Sequence, residues 1–387
     1  TSTFTFTATG GFAAGTLDHY EYSWTTGPSA GNWSTWNAGD LELYTTVNSD
    51  DWHLYVKSYN ADDVQNGSFD FGPYYYSVVA PSITVDYPLD DTWYTSTINT
   101  YYGSITDNSG SGIDYSTLEY DYNGSGWASF ADDGGANDWD DSGEIPQSNE
   151  SGSNTLQVRV KDIAGNTGTS STSTIKIDTT SAPIPTLSSP GDDSWSASLT
   201  NSFDWSDELD ATSGLANYEI NVSTDSNFDL VEFSSSPLTS GASFTFASEN
   251  TYYWRVRSVD VAGNNSDWTS NWSVKIDTTA PAGSMAVTFS SINESSMTVV
   301  SAVLTDAGEG TVYYEIDCET DDSYDVAYSL NNSTTTLPTM ANNTSYTFRY
   351  RTRDGLGNES DWSTSESTYT LSVSPSWSVV SVDKSSQ

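Results

Sequence analysis

A chain of 387 residues has room for about three or four ordinary domains, and this one carries 53 acidic against 11 basic residues, a formal charge of −42. With no basic footprint to neutralise phosphate, nucleic acid and anionic membrane are excluded as partners. Aromatic residues make up 13% of the chain and fall in alternating runs with valine, so there is material for several small cores rather than a disordered tract. Cys318 is the one cysteine, so disulfides do not hold the domains together. No run of about 20 apolar residues offers a membrane span.

Taken in order, residues 1–78 open with Thr3-Phe4-Thr5-Phe6-Thr7, alternating as a strand. Asp18 to Trp24, Leu41 to Thr45 and Trp52 to Tyr59 read the same way, and Pro73 to Val78 closes the domain. A second domain, 79–179, opens at Ala80-Pro81-Ser82-Ile83 and ends at Ile177-Asp178-Thr-Thr. The third, 180–279, opens at Ala182-Pro183 and ends at Ile276-Asp277-Thr-Thr, and the fourth, 280–373, opens at Ala280-Pro281. Linkers of two or three residues favour a semi-rigid rod over a flexible string.

One grammar recurs at intervals of roughly 95 to 100 residues, the size of a small sandwich domain. It reads Tyr253-Trp-Arg255-Val-Arg257-Ser-Val-Asp260-Val-Ala-Gly263-Asn264 in the third domain and Thr347-Phe348-Arg-Tyr350-Arg-Thr-Arg-Asp354-Gly-Leu-Gly357-Asn358 in the fourth. Leu156-Gln-Val158-Arg-Val160-Lys-Asp162-Ile-Ala-Gly165-Asn166 is the copy in the second, and Trp52 to Asn66 a degenerate first copy. Period-two alternation marks a half-buried strand. The Asp-x-x-Gly-Asn that follows is a turn, in which the carboxylate accepts backbone N–H groups and Gly takes a positive φ.

These strands and turns, the paired Ile-Asp-Thr-Thr-(Ser)-Ala-Pro junctions and the Ser213-Gly214-Leu215 loop resemble the tandem immunoglobulin-like and fibronectin type III-like modules of prokaryotic surface proteins. The resemblance covers domains two to four well and domain one in part. It implies an all-β chain of four tandem β-sandwiches and an extracellular, cell-surface address, and leaves the function open among stalks, spacers, adhesins and filament subunits. Thirteen Asn-x-Ser/Thr sequons, at Asn32, Asn66, Asn123, Asn149, Asn221, Asn264, Asn271, Asn293, Asn331, Asn332, Asn342, Asn343 and Asn358, favour the same address and are glycosylation candidates.

Residues 374–387 continue past the fourth domain as Ser374-Pro375-Ser376-Trp377-Ser378-Val379-Val380-Ser381-Val382, which aligns with the opening strand of domain two. Domain one, conversely, begins at what would be its second strand. A sandwich short of an edge strand is a template for another chain. Pro375, Trp377, Val379, Val380 and Val382 are therefore expected to fill a groove beside Phe4, Phe6 and Tyr22 of the next copy, giving a head-to-tail homopolymer. The alternative is a stalk segment of a larger adhesin that binds glycans or calcium; an arbitrary slice of a longer domain array would look the same.

Two histidines, His19 and His53, and one cysteine leave no nucleophile and base pair and no His/Cys metal cluster, so no enzyme is expected. Calcium is the one cofactor considered, because hard cations gather oxygens. The turn aspartates Asp162, Asp260 and Asp354 with the junction residues Asp178 and Asp277 are expected to meet at domain boundaries. Acidic loops at Asp132 to Asp141, Asp207 to Asp210 and Asp317 to Asp322 are further candidates, though none has the spacing of a dedicated calcium loop. Trp33, Trp36, Trp127 and Trp139 are expected as exposed, sugar-stacking rings, and Trp24, Trp205 and Trp254 as core. Cys318 shares a strand face with Ile316, which predicts a buried, inert thiol.

Overall fold

A computed structural model describes every residue except 1, 8–17, 28, 37–38, 46–48, 133–134, 136, 142, 284–285, 331–333 and 379–387. Val379, Val380 and Val382 of the expected donor strand, and the sequons at Asn331 and Asn332, lie outside the described residues. The chain divides into two compact units. The first holds residues Thr1–Ala182 with the loops Asp210–Leu215 and Asp260–Asn264, and the second holds Pro183–Leu209, Ala216–Val259 and Asn265–Gln387.

All-β architecture follows from the alternation. Thr251–Asp260 and Ser345–Arg353 bury every second residue along their length, as does the second half of Ser151–Asp162, so each is a strand with one face in a core. These are the central strands of larger sheets. In the first unit, Ser151–Asp162 lies between Ile113–Tyr122 and Ser173–Ile177, and Thr92–Tyr94 adds a parallel edge. In the second unit, Thr251–Asp260 lies between Leu215–Ser223 and Trp272–Ile276, with Ser194–Ser196 as the parallel edge. Tyr313–Cys318, Ser345–Arg353 and Glu366–Tyr369 repeat the centre of that order. Residues with 0% exposure sit at matching places in the three cores, namely Leu156, Trp254 and Phe348. Trp205 and Cys318 are buried as well, at 3% and 0%, and burial pushes the Cys318 thiol up.

Opposite each larger sheet lies a smaller one of three strands. Their orders are Ser82–Ile83, Tyr102–Thr106, Asp138–Asp140; Leu187–Ser189, Thr200–Trp205, Gly241–Thr245; and Thr288–Ser290, Met297–Val300, Thr334–Leu337. The first sandwich differs. Its larger sheet has four strands, Ser34–Trp36, His19–Thr26, Ser49–Tyr59 and Phe69–Tyr76, but its smaller sheet is only Ser2–Phe6 against Leu41–Thr45. Among the described residues the outer edge of Ser2–Phe6 has no partner strand. The consequence shows in burial: Phe4, Phe6, Tyr22 and Trp24 are only half-buried, although Phe4 and Phe6 pack on Trp24 with ring centroids 5.2 and 5.9 Å away.

Four tryptophans depart from the sequence expectation. Trp139 is fully buried, on a strand, and donates its Nε1–H to Thr84 O at 2.8 Å. Trp36 is buried on the Ser34–Trp36 strand, which the loop-like composition around it concealed. Trp33 and Trp127 are half-buried and covered by cations, Lys57 Nζ 3.5 Å and Arg159 4.1 Å from the ring centroids. None of the four is the exposed ring expected: two are buried, and two are half-buried with a cation on the ring.

His53, 8% exposed, joins the centre of the first sandwich to its edge strand Phe69–Tyr76. Its Nδ1 lies 2.7 Å from Asp70 Oδ1 and its Nε2 2.8 Å from Asp51 Oδ1, and the ring stacks on Tyr55. Both nitrogens can donate only in the imidazolium form. Burial alone would push the imidazole down; the bonds to Asp70 and Asp51 outweigh it and hold the pKa above its ordinary 6.5. A raised pKa contributes stability that is complete below the unfolded value and lost as pH rises through the folded one. Hydrogen-exchange protection of Phe69–Tyr76, corrected for intrinsic rates, is therefore expected to fall between mildly acidic and mildly alkaline pH. A His53→Gln variant should lose that dependence; a flat profile in the native protein would contradict the doubly bonded imidazolium.

Candidate functional site

The Asp-x-x-Gly-Asn turn has one geometry in three places. Asp260 Oδ1 accepts the N–H groups of Gly263 and Asn264 at 2.7 and 2.8 Å, and Asp354 Oδ1 accepts those of Leu356, Gly357 and Asn358 at 2.7 to 2.9 Å. Asp162 Oδ1 accepts from Asn166 N at 2.7 Å. The turns close because Gly165, Gly263 and Gly357 sit at φ of 93°, 100° and 97°.

The second carboxylate oxygen orients the asparagine side chain. Nδ2 of Asn166, Asn264 and Asn358 donates to Oδ2 of Asp162, Asp260 and Asp354 at 2.8, 2.8 and 2.7 Å. The remaining amide proton reaches back along the sequence to a backbone carbonyl, that of Ser77 at 2.9 Å, Asp178 at 2.9 Å and Asp277 at 3.0 Å. Each turn is thus a latch on the segment that ends the preceding strand, and each latch lies within one unit.

At two latches the carboxylates gather. Asp178, Asp210 and Asp260, all in the first unit, present oxygens within 4.8 Å of one another, and so do Asp277, Asp306 and Asp354 in the second. Five of the six are at most 8% exposed; Asp306 is half-buried. Asp178 Oδ2 accepts from Ser213 N at 3.1 Å, and Asp277 Oδ2 from Glu309 N at 2.8 Å, so the two clusters are built alike. Asp210 Oδ2 also accepts the N–H groups of Thr212, Ser213 and Gly214. Burial pushes its carboxyl up, but the N–H groups of Gly214, Ser213 and Thr212 outweigh this and hold it below the ordinary range.

No lysine, arginine or histidine pairs with these six aspartates among the described residues; the basic side chains are engaged elsewhere, as in Arg159 with Glu119, Arg257 with Glu219 and Arg351 with Glu315. Two unit charges 4.8 Å apart repel by about 3 to 4 kcal/mol at an effective dielectric of about 20. Three carboxylates with fixed oxygens are the donor set a hard divalent cation takes, completed by carbonyls or water.

Of the aspartates expected to meet, Asp178 with Asp260 and Asp277 with Asp354 are brought together. Asp162 is not: Ser77 stands where the other latches have Asp178 and Asp277. There Asp162 accepts from Ser111 Oγ at 3.0 Å, Ser111 bonds Ser109, and Ser109 bonds Asp107, so hydroxyls link two carboxylates in place of a third. The sequence reading had Asp210 only as part of an acidic loop and missed Asp306; the shared Asp-Ala-x-x-Gly at 210–214 and 306–310 was the signal. Of the other acidic loops, Asp317 and Glu319 pair with Arg349. Asp18, His19 and Asp63 also approach one another, with both aspartates exposed.

A family model for a bacterial Ig-like domain matches residues 95–179 and 269–370, together just under half of the chain. Solved structures similar to the chain include the FN1–FN3 domains of chicken CNTN1, at 12% identity and a TM-score of 0.32, covering 76% of this chain and 99% of that one. Three consecutive titin domains match at 15% identity and 0.34, with the same two coverages. Fibronectin(III)-like modules of Clostridium thermocellum CbhA match at 16% and 0.32, covering 50% and 92%. No curated protein matches the chain. The chain is an all-β array of tandem β-sandwiches, immunoglobulin-like over the residues that the family model matches. No helix among its described residues is long and apolar enough to cross a membrane.

The latch also corrects the sequon assignment. N-glycosylation replaces one Nδ2 proton, and both protons of Asn264 and Asn358 are engaged. Asn166 makes the same latch without a sequon, so the asparagine serves the latch. Peptide mapping of native protein should find Asn264 and Asn358 unmodified; a glycan on either would refute the latch there. Asn358→Ala, which orphans a buried carboxylate oxygen and a carbonyl, should lower the stability of the second unit by about 1–3 kcal/mol in calorimetry.

Proposed function

We propose that the chain is a structural, non-enzymatic subunit of an extracellular surface filament, polymerising head to tail by donating its C-terminal segment to the first sandwich of the next copy. The observation that carries this reading is the edge of Ser2–Phe6 with no partner strand among the described residues, beside which Phe4, Phe6 and Tyr22 are half-buried. Trp377, 89% exposed within 374–378, which pair with no strand of the described chain, supplies an aromatic knob suited to that groove. Pro375 beside it removes a donor at the place where an incoming edge strand begins. Donor and acceptor lie at opposite ends of the sequence, so the contact is heterologous and builds an open polymer.

Electron microscopy and light scattering of the full chain, beside a chain truncated after Val373, test this. Filaments from the first and monomers from the second are expected. Two monomeric species would favour the second reading, a stalk segment of a longer surface protein.

In both settings the two aspartate clusters are proposed to hold calcium, and Asp162 is left out of that role for want of a third carboxylate. Calcium should raise the melting temperature of the full chain in a saturable way. Asp306→Asn, which removes one charge from the second cluster while keeping its shape, should remove the part of that shift belonging to the second unit. If the variant melts higher than the native chain and calcium shifts neither, the clusters hold no cation.

A further inference from the structure

We infer that the third sandwich carries a binding site for a neutral pyranose ring, independent of any polymer contact. An open cleft of about 350 Å³ in the second unit is lined by Trp268 and Trp272, the exposed Ile184, Pro185, and the hydroxyl residues Thr186 and Ser270. Its volume is at the lower end of the ~300–1,000 Å³ typical of small-molecule pockets. No charged side chain lines it, an unusual surface on a chain of net charge −42.

The chemistry of the lining narrows the ligand. The two indoles provide apolar faces, while among the described residues neither indole N–H, nor the Thr186 or Ser270 hydroxyl, has a hydrogen-bond partner. A ligand with both an apolar C–H face and a rim of hydroxyls satisfies both halves; a purely apolar ligand would leave the donors unpaired, and an ionic one would meet no counter-charge. One face of Trp268 is stacked by the guanidinium groups of Arg255 and Arg257, 4.6 and 4.7 Å from the ring centroid, which fixes the ring without filling the cleft. Asn271, between the two tryptophans in sequence, donates one Nδ2 proton to Ser226 O at 2.7 Å.

The second indole is not a demand of the module. Trp272 is the strand partner of the core residue Trp254, and at the same register Leu156 faces Ser173 and Phe348 faces Glu366. Trp268, by contrast, has a counterpart in Trp362, which the guanidiniums of Arg349 and Arg351 stack in the same way. Among these three sandwiches the aromatic pair is therefore found at the cleft alone.

The test is an indole N–H titration of the unglycosylated full chain, ¹⁵N-labelled at tryptophan, with methyl glucoside, methyl galactoside and N-acetylglucosamine up to tens of millimolar. Saturable shifts of the Trp268 and Trp272 resonances with at least one of the three are expected. Binding should weaken at least about tenfold in Trp272→Ser, which takes the residue of the second sandwich. Thr186→Val, which removes a hydroxyl at constant shape, should weaken it with the fold unchanged by circular dichroism. Absence of a saturable shift with all three sugars, or unchanged affinity in both variants, overturns the inference.

Discussion

A carboxylate turned inward at the end of a central strand is the constraint on which the rest of the molecule depends. Asp162, Asp260 and Asp354 are at most 2% exposed, and a charge at that depth is stable only when its lone pairs are filled. Backbone N–H groups of the turn fill one oxygen and an asparagine amide fills the other. Because an amide has two protons, the second must find an acceptor as well, and the nearest is the carbonyl of the segment that precedes the next module. Satisfying one buried charge thus fixes the position of a neighbouring strand end.

Much of this was legible in the sequence because it rests on local chemistry. Strict alternation at Thr251–Asp260 and Ser345–Arg353 fixes strand and buried face together, and Asp-x-x-Gly-Asn names the turn. What could not be read were contacts made by residues distant in sequence. Asp210 and Asp306 reach the clusters from loops that have no strand periodicity, and only a comparison of the two Asp-Ala-x-x-Gly copies sets them apart from solvated acids. Trp36 and Trp139 lie among Gly, Asn and Asp, a composition that reads as loop, and their burial depends on short strands that pair across the sandwich. The same limit applied to Trp272, whose neighbour in the cleft wall, Ile184, lies in another strand's approach.

The distribution of the few cations sharpens the picture. Arg159, Arg257 and Arg351 occupy one register position in three sandwiches, and each meets a glutamate of the adjacent strand, Glu119, Glu219 and Glu315. Part-exposed pairs of this kind contribute only about 0–1 kcal/mol each, so their repetition says more about position than about stability: among the described residues lysine and arginine sit on strands. The latches are left with acids, hydroxyls and amides alone.

That asymmetry separates the three latches physically. At the latch on Ser77, the hydroxyls of Ser109 and Ser111 relay hydrogen bonds between Asp107 and Asp162. Where Asp178 or Asp277 takes that place, a third negative charge enters a space that already holds two, and the backbone donors that stabilise each carboxylate singly do nothing to separate them. Gly308 shows how tightly the second cluster is drawn, since a Cβ there would sit on the Asp277 carboxylate. Two outcomes are physically open at such a cluster: a proton is retained, which neutralises one acid, or a divalent cation enters. The N–H groups that hold Asp210 below the ordinary carboxylate range oppose the first of these at the first cluster, and among the described residues no lysine or arginine pairs with either cluster.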